Sequence, residues 1–500
     1  MVSATPPLRT GPPARYVLLG LILLAAAVRF GTLGAKGFWG DELSTVDLVH
    51  RSLGHMLTGI GNLESTPPLY YLVSWLWVKV FPSTEVGIRA VPAICGVALV
   101  PVAYWVGREL ASARAATIAA GLVAVNPFLV WYSQEARSYS LLTLLSAIAL
   151  LLTLRALRRP NRRLYAGWAI ASALALATHY FAAFLVLPEA VILVHSATKR
   201  RVPALAVGFV GLSGALLLPL ALQQQAHGHA DWISKAPILG RLAVTPLDFL
   251  VGFDLTAAAV PVAGLAIVAA LVGLARLAGP QRSGEGAGPR LMAMLLAATV
   301  ALPLGLSLLG LDYLDPRNLI VAVVPALTLL AIGFAVPSRP LLGGAAAIGL
   351  CVTSLAVVAL TAWEPKFHSE DWRAAASDLG PPRVDRVVIA TPGSFARKPL
   401  EFYLPASRPL PVSGDLVGEV DVLALPRQGS TKPTTSPLLS TPRLHLVARD
   451  FDGRFMVWRY RPPTQLWLAP RELGASVSRS RAAVIWQQAG TSARAQQRAG

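Results

Sequence analysis

Between residues 16 and 362 the chain repeats one pattern, a long apolar run followed by a short polar loop. Runs such as Tyr16–Phe30, Leu291–Leu311 and Leu341–Leu360 hold at most one charge each. A helix crossing the ~30 Å hydrocarbon core of a bilayer needs about 20 predominantly apolar residues. Runs of this length and number are hard to bury together in a soluble globule. Only 14% of residues are charged, against about 25% in a typical soluble domain. Lipid is therefore the main solvent of this chain. The segments read as crossings are 16–34, 86–107, 114–132, 137–157, 164–181, 182–197, 202–222, 257–277, 290–311, 317–336 and 340–362.

The basic residues orient these crossings. Five arginines crowd 155–163, Lys199-Arg200-Arg201 forms a second cluster, and Arg108–Arg114 and Arg276–Arg290 add more. Lys and Arg in short loops favour the cytoplasmic side. With the N-terminus (1–15) also inside, the stretch 35–85 lies outside, provided that the apolar piece Pro67–Phe81 does not cross. Its length agrees, because 15 helical residues reach only about 22 Å. Tyr70, Tyr71, Trp75 and Trp77 suit an interfacial helix. Eleven crossings then leave the C-terminal region extracytoplasmic. The outer loop 223–256, polar at its start through Gln223-Gln224-Gln225, His227, His229 and Trp232, has the length of a lid. The apolar run near the N-terminus lacks a small-residue cleavage site and reads as an uncleaved first span.

The net charge of +18 follows the loops and the last third of the chain. It matches topology and contact with anionic lipid, not nucleic acid. Cys95 and Cys351 both lie in apolar runs, which excludes a disulfide framework or thiol metal site.

After residue 363 the pattern changes to short alternating or β-branched runs: Arg386–Thr391, Glu419–Leu425, Arg443–Val447 and Phe455–Tyr460, with a helical stretch at Asp371–Leu379. The expected organisation is a transmembrane region at 16–363 with its first outer loop at 35–85, a small α/β or α+β domain at 364–465, and a weakly ordered tail at 466–500.

Four polar constellations fall on the outer side. Asp41-Glu42 follow the first span; adjacent acids there suit either a site or the first turn of a helix, where negative charge is favoured. Trp131–Tyr139, with Glu135, Arg137 and Tyr139, is a polar knot between two spans: a solvated turn with a Glu–Arg pair, or a site. Thr178-His179-Tyr180 ends the fifth span. Asp315-Pro316-Arg317-Asn318 enters the tenth, where the arginine can snorkel or clamp a phosphate. Carboxylates, a histidine and arginines at one water–lipid boundary point to work on the polar group of a lipid. No Walker, Rossmann, Ser-His-Asp or zinc-spacing motif is present.

An ordered set of segments resembles the membrane glycosyltransferases of the GT-C superfamily. The nearest likeness is to bacterial relatives of the protein O-mannosyltransferases and the lipid A aminoarabinose transferase. The segments are Phe38-Trp39-Gly40-Asp41-Glu42, Ser65-Thr66-Pro67-Pro68-Leu69-Tyr70-Tyr71, Gly87-Ile88-Arg89-Ala90-Val91-Pro92, Tyr132–Tyr139, Thr178-His179-Tyr180 and Glu370-Asp371-Trp372-Arg373. The likeness runs over about 15–380 and is strongest over 36–200. It implies an α-helical polytopic GT-C fold with juxtamembrane helices in the first outer loop. It also implies transfer of a sugar, mannose first, from a polyprenyl-phosphate donor to a lipid, glycan or protein acceptor outside a bacterial plasma membrane. By the resemblance Asp41 is the catalytic base with Glu42 beside it, and Arg317 and Arg137 bind the donor phosphate. Glu135, Tyr139, His179, Tyr180 and Thr66 shape the sugar or acceptor pocket. Thr66 stands where some relatives carry a basic residue or histidine. No cofactor is required, although a divalent cation is admissible. A flippase or transporter of lipid-linked sugars and a non-catalytic scaffold are the competing classes. A transporter would place its charges near the midplane, often in two related halves, and no repeat is found here.

Overall fold

A computed structural model describes residues 12–228, 232–252, 287–336, 340–364, 371–391, 393–424, 443–451, 455–473 and 482–490, with Leu439 and scattered positions of 261–275. The expected crossing at 257–277 falls mostly outside the described residues, as do Glu370, His229 and most of the basic loop 276–290. The chain divides into two compact units. One comprises residues 1–33 and 47–360; the other comprises 34–46 and 361–500.

The first unit is a helical, multi-pass membrane region. Among the described residues, six helices are long and apolar enough to cross a membrane. They are Glu85–Leu110, Tyr139–Arg158, Arg201–Gln225, Gly288–Leu308, Pro316–Phe334 and Pro340–Trp363. Counting the bent pair Ala113–Val125 and Pro127–Ser133 as one span makes seven. Pro12–Phe30 is also helical, starting on prolines that a first turn tolerates. Arg162–Thr178 and Ala183–Ser196 are shorter and meet through a 3-10 turn at Tyr180–Ala182. The Pro67–Phe81 piece yields a helix of only nine residues, Leu69–Trp77. Alanines 115, 116, 119, 120 and 124 are fully buried, the small-residue packing that lets membrane helices approach closely.

The stretch 114–132, read above as one span, is bent by 53° at Asn126-Pro127. The cause lies in the backbone. Pro127 has no N–H for the carbonyl of Val123, and the bend strips Ala124 of its partner. Arg29, fully buried, supplies the missing donors. Its guanidinium donates to the carbonyls of Val123 (3.1 Å) and Ala124 (2.7 Å) and to Ser133 Oγ (3.2 Å). Asn126 completes the joint: its Oδ1 accepts from Leu129 N and its Nδ2 donates to the carbonyl of Phe249 at 2.7 Å. Gly96 is required here, since a Cβ would sit 2.2 Å from Ser133 Oγ and 2.6 Å from Arg29 Nε. The break aims Tyr132–Tyr139 away from the axis of the helix before it.

The second unit is built on a six-stranded mixed sheet. Its strands are β1 (Arg386–Thr391), β2 (Ser407–Pro409), β4 (Glu419–Ala424), β5 (His445–Phe451), β6 (Met456–Arg461) and β8 (Ala483–Gln487), ordered β2-β8-β1-β4-β6-β5. β3 (Asp415–Val417) and β7 (Leu466–Leu468) pair separately. β1 and β4 are parallel, in register Arg386↔Glu419 to Thr391↔Ala424. Side chains alternate along β1: Val388 and Ala390 pack with the helices Trp372–Leu379 and Gly393–Tyr403, and Val387 and Ile389 pack with Trp458, Tyr460 and Trp486. Burial on both faces explains why its sequence reads as continuously apolar.

One expectation fails here. The stretch 466–500 was expected to be weakly ordered, yet it supplies β7 and β8. β8 lies inside the sheet, antiparallel to β1 on one side and β2 on the other. The run Ala482–Trp486 has the residues of a buried strand, and the Arg-, Ser- and Gln-rich sequence around it masks that signal.

Candidate functional site

The first unit brings together most of the polar residues singled out from the sequence. Arg137, from the knot after the bent span, is buried and donates through Nη1 to Glu64 Oε1 at 2.8 Å. Glu64 closes the helix Leu53–Leu63 as its C-cap residue and is itself only 2% exposed. Beside it, Thr66 Oγ1 and the Tyr71 hydroxyl are 2.8 Å apart. Burial, helped by the Glu64 charge, pushes the Tyr71 phenol well above its ordinary value, so it stays protonated.

Tyr180 and Thr66 lie far apart in sequence and are joined by one side chain. The Tyr180 hydroxyl bonds Gln224 Oε1 at 2.8 Å, and Gln224 Nε2 donates to the carbonyls of Thr66 (3.1 Å) and Ile60 (3.2 Å). An aromatic chain runs beside them. Tyr132 and Tyr139 are 4.6 Å apart by ring centroids, Tyr139 and His179 5.6 Å, His179 and Phe181 4.8 Å, and Phe181 and Tyr313 5.4 Å. Arg137 and Arg317 both lie within electrostatic reach of the buried His179 ring. Glu135 accepts from Trp131 Nε1 at 2.6 Å, and its backbone carbonyl accepts from Arg137 N. These bonds hold the knot as a tight turn.

Arg317 stands on different support. Its Cζ lies 4.3 Å from the ring centroid of Trp232. Asp315 caps the turn Pro316–Ala322 by accepting from Arg317 N at 3.1 Å, and its Oδ1 is 3.5 Å from Arg317 Nε. Burial pushes the Asp315 carboxyl up, while Arg317 holds it down in part. Next to it, Arg241 grips Asp312 with both Nη atoms (2.8 and 2.6 Å), and these bonds hold Asp312 below its ordinary value. Asp248, on the helix Ile238–Val251, is pushed up to about 7, by burial first and then by the nearby Asp315.

Asp41 and Glu42 belong to the second unit, in the first turn of the helix Gly40–His50. Glu42 is fully buried and accepts from Trp39 N at 3.3 Å through Oε2. Asp41 is half-buried. The segment before them is tied to its unit at several points. Gly37 N donates to Asp371 Oδ1 (3.0 Å), Phe38 N to the Tyr403 hydroxyl (2.6 Å), and Arg373 Nη2 to the carbonyl of Gly34 (2.8 Å). Gly37 is needed for that approach, because a Cβ would lie 2.7 Å from Arg373 Cβ. Asp371 and Arg373, noted above only for their likeness, thus hold the segment that carries Asp41. Among the described residues, no group of three or more His, Cys, Asp or Glu could hold a metal ion.

Sequence reading missed Glu64, Arg241 and the bridging role of Gln224. Glu64 carried a signal, an acid just before Ser65-Thr66-Pro67-Pro68. Arg241 carried none, since its partner Asp312 is 71 residues away.

The fold places the chain in a class, the multi-pass membrane proteins with an ArnT-like fold. It is similar to ArnT from Cupriavidus metallidurans in two crystal structures. For the apo state the TM-score is 0.52 at 15% identity, covering 89% of this chain and 98% of that one. For ArnT bound to undecaprenyl phosphate it is 0.51 at 14%, covering 88% and 97%. A looser likeness, TM-score 0.45 at 14% identity over 73% of this chain and 57% of that one, is to the oligosaccharyltransferase AglB from Archaeoglobus fulgidus. Within that class, residues 65–221 match the family described as dolichyl-phosphate-mannose-protein mannosyltransferase. No curated protein matches the sequence. The resemblance to GT-C, mannosyltransferase-like proteins read from the sequence is borne out.

Proposed function

We propose that this protein transfers a sugar, mannose first, from a polyprenyl phosphate to a hydroxyl of a lipid, glycan or protein acceptor on the outer face of a bacterial plasma membrane. The second unit lies extracytoplasmically in this reading. The observation that carries it is the convergence of Arg137, Arg317, His179, Tyr139 and Thr66 at the ends of membrane helices. That cluster suits an anion attached to a lipid and a polar sugar next to it.

The reaction balances simply. The acceptor oxygen attacks the anomeric carbon, and its proton passes to the Asp41 carboxylate as general base. The bond between that carbon and the phosphate oxygen breaks, and the electron pair leaves with the polyprenyl phosphate. Arg317, with Arg137, stabilises the charge that develops there. Glu42, held on Trp39 N, fixes the turn that carries Asp41. His179, Tyr180, Tyr139, Glu135 and Thr66 line the sugar or acceptor pocket. Direct displacement inverts the anomeric centre and needs no second carboxylate as acid. No metal is required by this scheme.

The test is transfer of label from radiolabelled polyprenyl-phosphate mannose to a membrane extract by purified protein in lipid, beside Asp41→Asn. Transfer is expected only with the unmodified protein, with Asp41→Asn down by about 10²–10⁴-fold. Absence of transfer with mannose and with other polyprenyl-linked sugars would favour a transporter or scaffold. Equal transfer by both forms would remove Asp41 as the base.

A further inference from the structure

Arg241 and Trp232 sit in the long outer loop, and the catalytic scheme above uses neither. Trp232 nevertheless contacts Arg317, and Arg241 holds the turn that leads into it. Trp232 is 43% exposed, so core packing does not account for its position, and its ring lies under the Arg317 guanidinium. Arg241 is 8% exposed and uses its fork in two directions. Its Nε donates to the carbonyl of Ala236 at 3.0 Å, which closes the short turn Ile233–Lys235 directly after Trp232. Its Nη atoms take both oxygens of Asp312, and Nη1 also reaches the carbonyl of Leu314. Asp312 Oδ1 in turn accepts from Leu314 N at 3.2 Å. Asn318 Nδ2 fixes the carbonyl of Tyr313 at 2.9 Å. One buried arginine therefore locks the turn carrying Trp232 to the turn that leads into Arg317.

We propose that Trp232 and Arg241 are positioning residues that seat Arg317 for the phosphate of a lipid-linked donor. The proposal rests on the reading of Arg317 as a phosphate ligand. The physical reason is the shape of guanidinium. Its N–H bonds lie in the plane, so a ring on its face holds the group without taking a donor. A flexible arginine loses side-chain freedom when it binds an anion, and a seat made beforehand lowers that cost. Arg241 keeps the seat at a fixed distance from Arg317, and Asp312 satisfies the Arg241 charge, leaving it no role as a second anion ligand.

The test is titration of undecaprenyl phosphate into the full-length protein in nanodiscs, with the Kd compared among variants. Trp232→Ala is expected to weaken binding about three- to ten-fold. Trp232→Phe keeps a ring face and should recover most of the loss. Arg241→Gln should weaken binding by a similar factor. In an Arg317→Gln background, Trp232→Ala should have no further effect, whereas a purely structural tryptophan would lower binding in both backgrounds. In transfer assays Trp232→Ala should raise the donor KM and also lower kcat, because the guanidinium it seats faces the charge that develops on the leaving phosphate. Three results would overturn the proposal: unchanged binding in Trp232→Ala while Arg317→Gln binds weakly, additive losses in the double variant, or failure of Trp232→Phe to recover binding when it folds as the unmodified protein does. No binding by the unmodified protein would instead remove the reading of the whole site.

Discussion

Arg137 and Arg317 lie near the same histidine and are held in opposite ways. Arg137 is inside, paired with a carboxylate that is itself buried, among tyrosine and threonine hydroxyls. Arg317 is a quarter exposed at its side chain, lies over an aromatic face and has Asp315 at 3.5 Å. A buried ion pair is costly to break because one charge is left without compensation. A cation on a half-exposed ring is held by about 0.5–2 kcal/mol. The difference divides the work. On the reading proposed above, Arg137 serves mainly as frame, and Arg317 is the group that exchanges contacts with a ligand.

The strongest way to break this comparison is Arg137→Ala. It should destabilise the folded protein by about 3–5 kcal/mol, read as a large fall in the thermal midpoint in detergent. The double change Glu64→Leu with Arg137→Met removes both charges and should recover most of that loss. Recovery of stability without recovery of donor binding would show that Arg137 also takes part in binding the donor. Arg317→Gln should do the reverse. Its thermal midpoint should stay near that of the unmodified protein, while donor binding falls by about 1.5–3 kcal/mol, the worth of a hydrogen bond to a charged group. A midpoint loss as large as that of Arg137→Ala would end the distinction.

The smallest expected effect concerns pH. Asp248 is raised in the folded protein from its ordinary 3.8 to about 7. Between those values the folded state holds a proton that the unfolded state has released. Stability contributed by this group is therefore greatest at low pH and falls as pH rises through about 4 to 7, by at most ~1.4 kcal/mol per pH unit. Asp248→Asn should flatten that part of the curve. It should also tighten donor binding slightly above pH 7, where the unmodified protein carries an extra negative charge near Asp315. An unchanged pH profile in Asp248→Asn would show that Asp248 does not titrate in this window.

Local pattern made much of this molecule readable. The strand Arg386–Thr391 and the helix within Asp371–Leu379 were visible because burial on both faces, or on one stripe, writes itself into a few neighbouring residues. Arg137, His179 and Arg317 stood out because charge at a lipid boundary is rare. What stayed hidden depends on distant partners. Arg29 looks like an ordinary snorkelling residue at a helix end, and its task is set by a proline 98 positions on. The Asn126-Pro127 pair signals a break, yet an apolar run of full length concealed it. Glu64 could be found beside its Pro-Pro pair, but its meaning required Arg137. β8 was lost inside a stretch whose average composition resembles a tail.

The most direct test of the account is a structure of the protein with undecaprenyl phosphate in lipid, determined by electron cryomicroscopy. Phosphate oxygens are expected about 2.7–2.9 Å from Arg317 nitrogens, with Trp232 still under the guanidinium and Arg137 still on Glu64. A phosphate bound away from Arg317, or held by an Arg137 that has left Glu64, would contradict this.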